Sequence, residues 1–328
     1  MFSRIISWVK EHNTLLLLSR LIVYSGESSP LVYHCRDYTS SSFVRTLLKI
    51  LVTPYCLFKY FFVRKYPSRE GLAFVLIAKN EALYIKEWLD FHIKQGVSHF
   101  IIYDNESTDN FREVLQPYIE AGIVIYDIIR GKCRQIDAYN IALNKYRHRF
   151  KYMGFIDADE FVFVRKNTYL GGGHNLYEFI DGFMKTYPNA GGLLINWLNF
   201  GSSHHDKKPE GGVLENFTMC AANDFPLNHL TKIICDPAKL LTMVVHNAVC
   251  RRNYYSLDED GKIFSGRLGT KDIRFDKIRI NHYFTKSREE FIAKINRGNV
   301  NYLYMRDMKE FDARDQNVIT DTEILSRL

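Results

Sequence analysis

From residue 71 onward, unbroken apolar runs alternate with stretches in which apolar residues recur at helical spacing. LAFVLIA at 72–78 reads as a strand buried on both faces. Residues 80–95 then place Ile85, Trp88, Leu89 and His92 on one helical face, with Gly96 as the stop. HFIIY at 99–103 is a second strand, ending at Asp104 and Asn105. Ser107 or Thr108 is expected to cap a short helix carrying Phe111, Val114 and Leu115, with Pro117 disturbing its end. IVIY at 123–126, a helix over 135–147 and YMGFI at 152–156 complete a βαβαβαβ order. Such an order predicts a mostly parallel sheet wound through right-handed crossovers.

The later half is looser. The glycines at 171–173 suggest a loop, and residues 175–185 a helix. Residues 193–200 and 213–219 read as strands around a Gly-, Ser- and His-rich loop. Ser287 and Glu290 make a capping-box pattern for a late helix that Gly298 would end.

Ligands of parallel sheets bind beyond the carboxyl ends of the strands. Three polar groups stand at such ends: Lys79-Asn80-Glu81, Asp104-Asn105 and Asp157-Ala158-Asp159. Their expected convergence on one edge marks the site. Two carboxylates flanking one residue after an apolar strand suit a hard divalent cation, Mg²⁺ or Mn²⁺, that also takes diphosphate oxygens. A bare Asp-x-Asp is more often a solvated turn; here the preceding strand, Glu160-Phe161 and the two upstream groups argue for a site. The short polar side chains of residues 104–109 suit contacts to a base or ribose, or equally a turn and helix cap.

Charge changes the picture at the N-terminus. The net charge is +7, and all of that excess falls in residues 1–69, leaving 70–328 balanced. A balanced main body argues against DNA or RNA as partner. Residues 43–65, FVRTLLKILVTPYCLFKYFFVRK, are basic and aromatic but interrupted by Lys49, Pro54 and Lys59. They are too broken for a membrane span and suit a helix lying on an anionic membrane surface or packed on the main domain. The six cysteines show no metal-finger or redox spacing, so a reduced, cytoplasmic setting is expected, peripheral on the inner face of the cell membrane.

The ordered segments VLIAKNEALYIKEWLDFHIKQGVSHFIIYDNESTDN, GKCRQIDAYNIAL and YMGFIDADEF resemble glycosyltransferase family 92, allied to the family 2 glycosyltransferases. INWLNFGSSHH, LENFT, VVHNAV and INHYFTKSREEFIAKINRG resemble the family's later segments. The resemblance implies an α/β fold of the GT-A type, a Rossmann-like, mostly parallel sheet flanked by helices. It spans residues 70–328, with a nucleotide-sugar half at 70–165 and an acceptor half at 166–328, behind the N-terminal segment 1–69. It further implies a metal-dependent, inverting transfer of a hexose, galactose favoured, from a UDP-sugar to a glycan or glycolipid acceptor.

Carried onto these positions, Lys79, Asn80 and Glu81 would border the nucleotide, Asp104 and Asn105 the uridine, and Lys132 and Gln135 the diphosphate or sugar. Asp157 and Asp159 match the metal motif, with Asp159 favoured as direct ligand and Asp157 toward the diphosphate. His282 and His246 are candidate further ligands, and Lys286 a neutraliser of diphosphate charge. Inversion needs a base for the acceptor hydroxyl; Glu215 ranks first and Asp206 second. The loop at 201–205, Gly-Ser-Ser-His-His, departs from the family's more usual Gly-Ser-Ser-Gly-His, which leaves open which histidine takes the family position.

Other classes fit less well. An aspartyl phosphotransferase places its Asp-x-Asp nearer the domain start, and a nucleotidyltransferase shows a Gly-rich loop where this chain has Ala78-Lys79-Asn80-Glu81. A non-catalytic membrane-surface module on a degenerate transferase fold would not need Asp157 and Asp159 intact.

Overall fold

The computed structural model describes residues 58, 60–62, 65–165, 175–264, 269–297 and 306–328. The expectations for the loop at 171–173, the stop at Gly298 and most of segment 43–65 lie outside these residues. Among the described residues, no helix is long and apolar enough to cross a membrane.

Four parallel strands build the first half: β1 (Glu70–Ala78), β2 (His99–Asp104), β3 (Val124–Ile128) and β4 (Phe150–Phe155). They lie in the spatial order β4-β1-β2-β3. Between them run α1 (Ile85–Lys94), α2 (Phe111–Glu120) and α3 (Gln135–Tyr146). Because side chains alternate across a strand, β1 faces two cores. Leu72, Phe74 and Leu76 pack with α1 and α2, while Ala73, Val75 and Ile77 pack with α3. At Gly154 of β4 a side chain is excluded, since a Cβ there would come 2.6 Å from the Phe74 ring.

Past β4 the chain forms β5 (Glu160–Val164), α4 (Leu176–Thr186), β6 (Ala190–Asn199), the short helix α5 (Val213–Asn216) and β7 (Met219–Cys220). Then follow β8 (Thr231–Cys235), the β9–β10 ribbon (Leu240–Met243 and Ala248–Cys250), β11 (Tyr255–Leu257), β12 (Ile263–Phe264) and β13 (Ile278–His282). Helices α6 (Arg288–Arg297) and α7 (Met308–Arg314) and strand β14 (Ile319–Thr320) follow, and a 3-10 turn at Glu323–Arg327 comes last. Strand β8 runs antiparallel between β4 and β6 and joins both halves into one sheet. Strand β13 pairs antiparallel with β5 and parallel with β6. The architecture is thus the expected one, a mostly parallel sheet flanked by helices.

Three local expectations are corrected. Residues 213–216 form a helical turn and not the start of a strand, because the Glu87 carboxylate accepts from the Val213 and Leu214 amides at 2.6 and 3.0 Å; of the expected strand, Met219 alone lies in one, β7. Ser107 and Thr108 do not cap α2. They turn back to Asn80, whose amide donates to Ser107 Oγ at 2.9 Å and whose Oδ1 accepts from the Thr108 amide at 2.7 Å. Pro117 lies inside α2, which runs on to Glu120.

Candidate active site

The strand ends meet as expected. Ala78 pairs with Asp104 in the β1–β2 register, the Asn105 amide donates to Ala78 O, and the Ile156 amide donates to Val75 O just before the acidic motif. Asn80 adopts φ +54, a left-handed conformation that asparagine tolerates, and thereby ties the β1 loop to the β2 loop. Asp104 accepts from Tyr126 Oη at 2.6 Å and from the Ser107 amide at 2.8 Å. Asn105 is buried and donates to the carbonyls of Ile129 and Gly131. Both residues are thus tied into bonds within the protein. Lys132 is exposed in the loop before α3, and Lys79 directly follows β1.

The two motif aspartates have different surroundings. Asp157 Oδ1 accepts from Gln135 Nε2 and Tyr139 Oη, both at 2.8 Å, and Oδ2 accepts from Lys232 Nζ at 2.7 Å. Lys232, on β8, is wholly buried and lies 3.7 Å from Glu160 as well. Burial would lower its pKa, but the Asp157 and Glu160 carboxylates hold it well above the usual lysine value. Both Asp157 oxygens thus accept from internal donors, and Gln135, expected at the diphosphate, serves to orient it.

Asp159 faces the opposite way, toward β13 and α6. The β5–β13 register sets His282 opposite Glu160, and the Tyr283 amide donates to Asp159 O at 2.8 Å. This brings His282 Nε2 to 3.7 Å from Asp159 Oδ1. That gap is too long for a hydrogen bond. It suits two donors sharing one cation, which at bonds of about 2.1 Å each lie roughly 3 to 3.7 Å apart. Asp159 Oδ2 accepts from Lys294 Nζ at 2.7 Å, so a cationic group already sits on this carboxylate. Burial would raise the Asp159 pKa, but the Lys294 ammonium beside it holds it well below the usual carboxylate value.

A relay of amides fixes the face His282 presents. Asn228 Nδ2 donates to the carbonyls of Ala222 and Asn223, which turns its oxygen toward Asn199. Asn199 Nδ2 donates to that oxygen at 2.8 Å. Asn199 Oδ1 therefore points at His282 Nδ1, 3.3 Å away, and Nδ1 carries the proton. Nε2 is left with its lone pair toward Asp159. Burial lowers the His282 pKa and keeps the ring neutral, the form a metal ligand needs.

His246 also packs on Trp197, with ring centroids 5.3 Å apart against 4.0 Å for Trp197 and His282. Its Nδ1 bonds the Thr231 carbonyl, and no contact joins it to Asp159. The residues fit a divalent cation held by Asp159 and His282, with substrate oxygens completing its shell; among the described residues no group of three or more His, Cys, Asp and Glu gathers.

Beside Asp159 opens a pocket of about 230 Å³ lined by Asn80, Glu81, Tyr84, Phe284, Lys286 and Lys294, among others. Lys286 Nζ lies 4.5 Å over the Tyr84 ring. Glu290 accepts from Tyr84 Oη at 2.6 Å and from the Ser287 amide at 3.1 Å, the expected capping box. Glu215 is exposed and accepts from the Gly212 amide through Oε1; Asp206 is exposed nearby in sequence. His204 has φ +64, where glycine is favoured. His205 Nε2 lies 3.2 Å from the Asn216 carbonyl. Sequence reasoning missed Lys232, Lys294, Asn199, Asn228 and Tyr139.

The model of glycosyltransferase family 92 matches residues 75–316. A glycosyltransferase family 92 protein of Ricinus communis is 28% identical over 230 residues, 69% of this chain and 37% of that protein. The chain thus spans well under half the length of that relative. The galactan beta-1,4-galactosyltransferase GALS2 of Arabidopsis thaliana is 37% identical over 90 residues, 24% of this chain and 17% of that one. Among solved structures, S. aureus TarS 1-349 in complex with UDP superposes with a TM-score of 0.34 at 16% identity, covering 51% of this chain and 47% of that one. That likeness is too distant to bear on this chain's ligands.

Proposed function

This chain belongs to glycosyltransferase family 92, and from that premise we propose that it moves a hexose from a UDP-sugar to a glycan or glycolipid acceptor, with inversion and with Mn²⁺ or Mg²⁺ on Asp159 and His282. The observation that carries the reading is the 3.7 Å approach of a neutral His282 Nε2 to Asp159 Oδ1 at the edge of a pocket bearing Lys286 and Lys294. Galactose stands first because relatives matching parts of this chain are galactan beta-1,4-galactosyltransferases.

A bound cation would screen the charge that develops on the leaving diphosphate. The chain's own residues do the rest. Asn80 lines the pocket and is held there by the Asp104 turn through Ser107, Lys286 adds positive charge at its wall, and Asp157, held by Lys232, keeps the motif loop rigid. Glu215 is our first candidate for the base that takes the acceptor proton. Its Oε1 is engaged at the Gly212 amide. Screening UDP-sugars for transfer and hydrolysis, with Mn²⁺ and with a chelator, tests the reading. Turnover of UDP-galactose that needs the cation supports it, and turnover indifferent to chelation contradicts it.

The exposed Phe58, Phe61 and Phe62 support placing the basic segment 43–65 on an anionic membrane surface, on the cytoplasmic side. Co-sedimentation with phosphatidylserine vesicles checks this: a chain that stays in solution rules it out.

A further inference from the structure

The two motif aspartates each carry a lysine, and the two lysines differ. Lys232 is wholly buried and lies near Asp157, Glu160 and Tyr139 together. Lys294 lies at the pocket wall, 11% exposed, and reaches Asp159 from α6. Ser287 and Glu290 fix the start of that helix, and Lys294 follows on the same face two turns on. Its ammonium donates to Asp159 Oδ2 at 2.7 Å and to Phe284 O at 2.8 Å.

Lys294 is also part of a concentration of positive charge. Around the Phe284 ring stand Lys294 Nζ at 3.9 Å, Arg314 Cζ at 4.1 Å and Arg306 Cζ at 5.5 Å from the centroid. Glu310 lies 3.4 Å from Arg314 and 3.9 Å from Arg306. Lys286 lines the same pocket. Asp159 thus meets a cation before any ligand arrives. A divalent ion entering between Asp159 Oδ1 and His282 Nε2 must share one carboxylate with an ammonium already bonded to its other oxygen. Like charges so close in a partly buried site repel strongly. A diphosphate group brings the negative charge that both cations lack, and ammonium donors suit phosphate oxygens.

We propose that Lys294 is the resident counter-cation of Asp159 and couples the metal to the diphosphate, opposing the divalent ion alone and joining it in holding a diphosphate. The inference rests on the reading of Asp159 as metal ligand. Its consequence is ordered loading: the metal enters with the nucleotide, and an enzyme without donor holds little metal.

The test is two calorimetric titrations, Mn²⁺ without nucleotide and UDP at saturating Mn²⁺, on wild type, Lys294→Met, Lys294→Arg and Asp159→Asn, each checked for folding by thermal unfolding. Lys294→Met should bind Mn²⁺ alone about tenfold more tightly than wild type and UDP about tenfold more weakly, a coupling of ordinary size. Lys294→Arg, which keeps the charge, should resemble wild type in both. If Lys294→Met gains nothing for Mn²⁺ alone while Asp159→Asn abolishes binding, the coupling is refuted and the metal reading stands. If Lys294→Arg behaves as Lys294→Met, packing rather than charge is at work and the proposal fails. If Mn²⁺ binding is indifferent to Asp159→Asn, the metal reading falls and the proposal with it.

Discussion

His282 Nδ1 lies 3.3 Å from Asn199 Oδ1, and this contact decides which imidazole nitrogen faces Asp159. The proton on Nδ1 is placed by Asn199, whose own orientation is set by Asn228. Partners that orient a ligating histidine typically govern 10–100-fold in metal affinity. Asn199→Ala should therefore weaken Mn²⁺-dependent UDP binding by about 10–100-fold. Asn199→Asp, which keeps an acceptor toward Nδ1, should lose less. Equal losses in the two variants would contradict the relay.

The Lys232–Asp157 pair should behave as a structural unit. Removing one partner of a buried pair leaves an uncompensated charge, so Lys232→Met should cost roughly 3–5 kcal/mol in urea unfolding. Adding Asp157→Asn to Lys232→Met should recover part of that loss. A double variant whose loss equals the sum of the singles would show the pair to be uncoupled.

Acid should destabilise the fold through His92. The ring is wholly buried; its Nε2 accepts from the Val162 amide at 3.1 Å and its Nδ1 lies 2.8 Å from the Trp88 carbonyl, so the neutral tautomer fits both. Burial pushes its pKa down to about 3, and that of His246 down to about 4. The unfolded chain, with histidines near pH 6.5, binds more protons in between. Stability should thus be level above about pH 6.5 and fall as pH drops from there toward about 3. Urea unfolding at about pH 7 and about pH 5 checks the sign, and His92→Gln should flatten part of the slope. An unchanged slope in that variant would remove His92 from the account.

Glu215→Gln separates a cap from a base. The amide oxygen can still accept from the Gly212 amide, so the melting temperature should hold. An amide cannot take a proton, so transfer should fall by about 10²-fold or more. A variant with near wild-type transfer would release Glu215 from the role and turn attention to Asp206.

The parallel half was legible because its strands are uninterrupted apolar runs and its functional residues follow directly at their ends. Asp159 and His282 could be named from their motifs, yet their meeting depends on the β5–β13 register, which no local pattern specifies. Lys232 left one trace, a lysine inside the apolar run TKIIC, where a charge demands a partner. That partner lies 75 residues away. Residues 213–219 misled for a similar reason: Glu87, 126 residues upstream of Val213, supplies the acceptor that starts the helical turn. Lys294 sits on a helix whose start was readable, but the carboxylate it reaches was not.

The central claim is that Asp159 holds a cation through which the nucleotide diphosphate binds. Calorimetric titration of UDP with and without Mn²⁺, on wild type and Asp159→Ala, tests it most directly. The account predicts binding by wild type that needs Mn²⁺ and is lost in Asp159→Ala. UDP binding of equal strength without the cation, or retained in that variant, would contradict it.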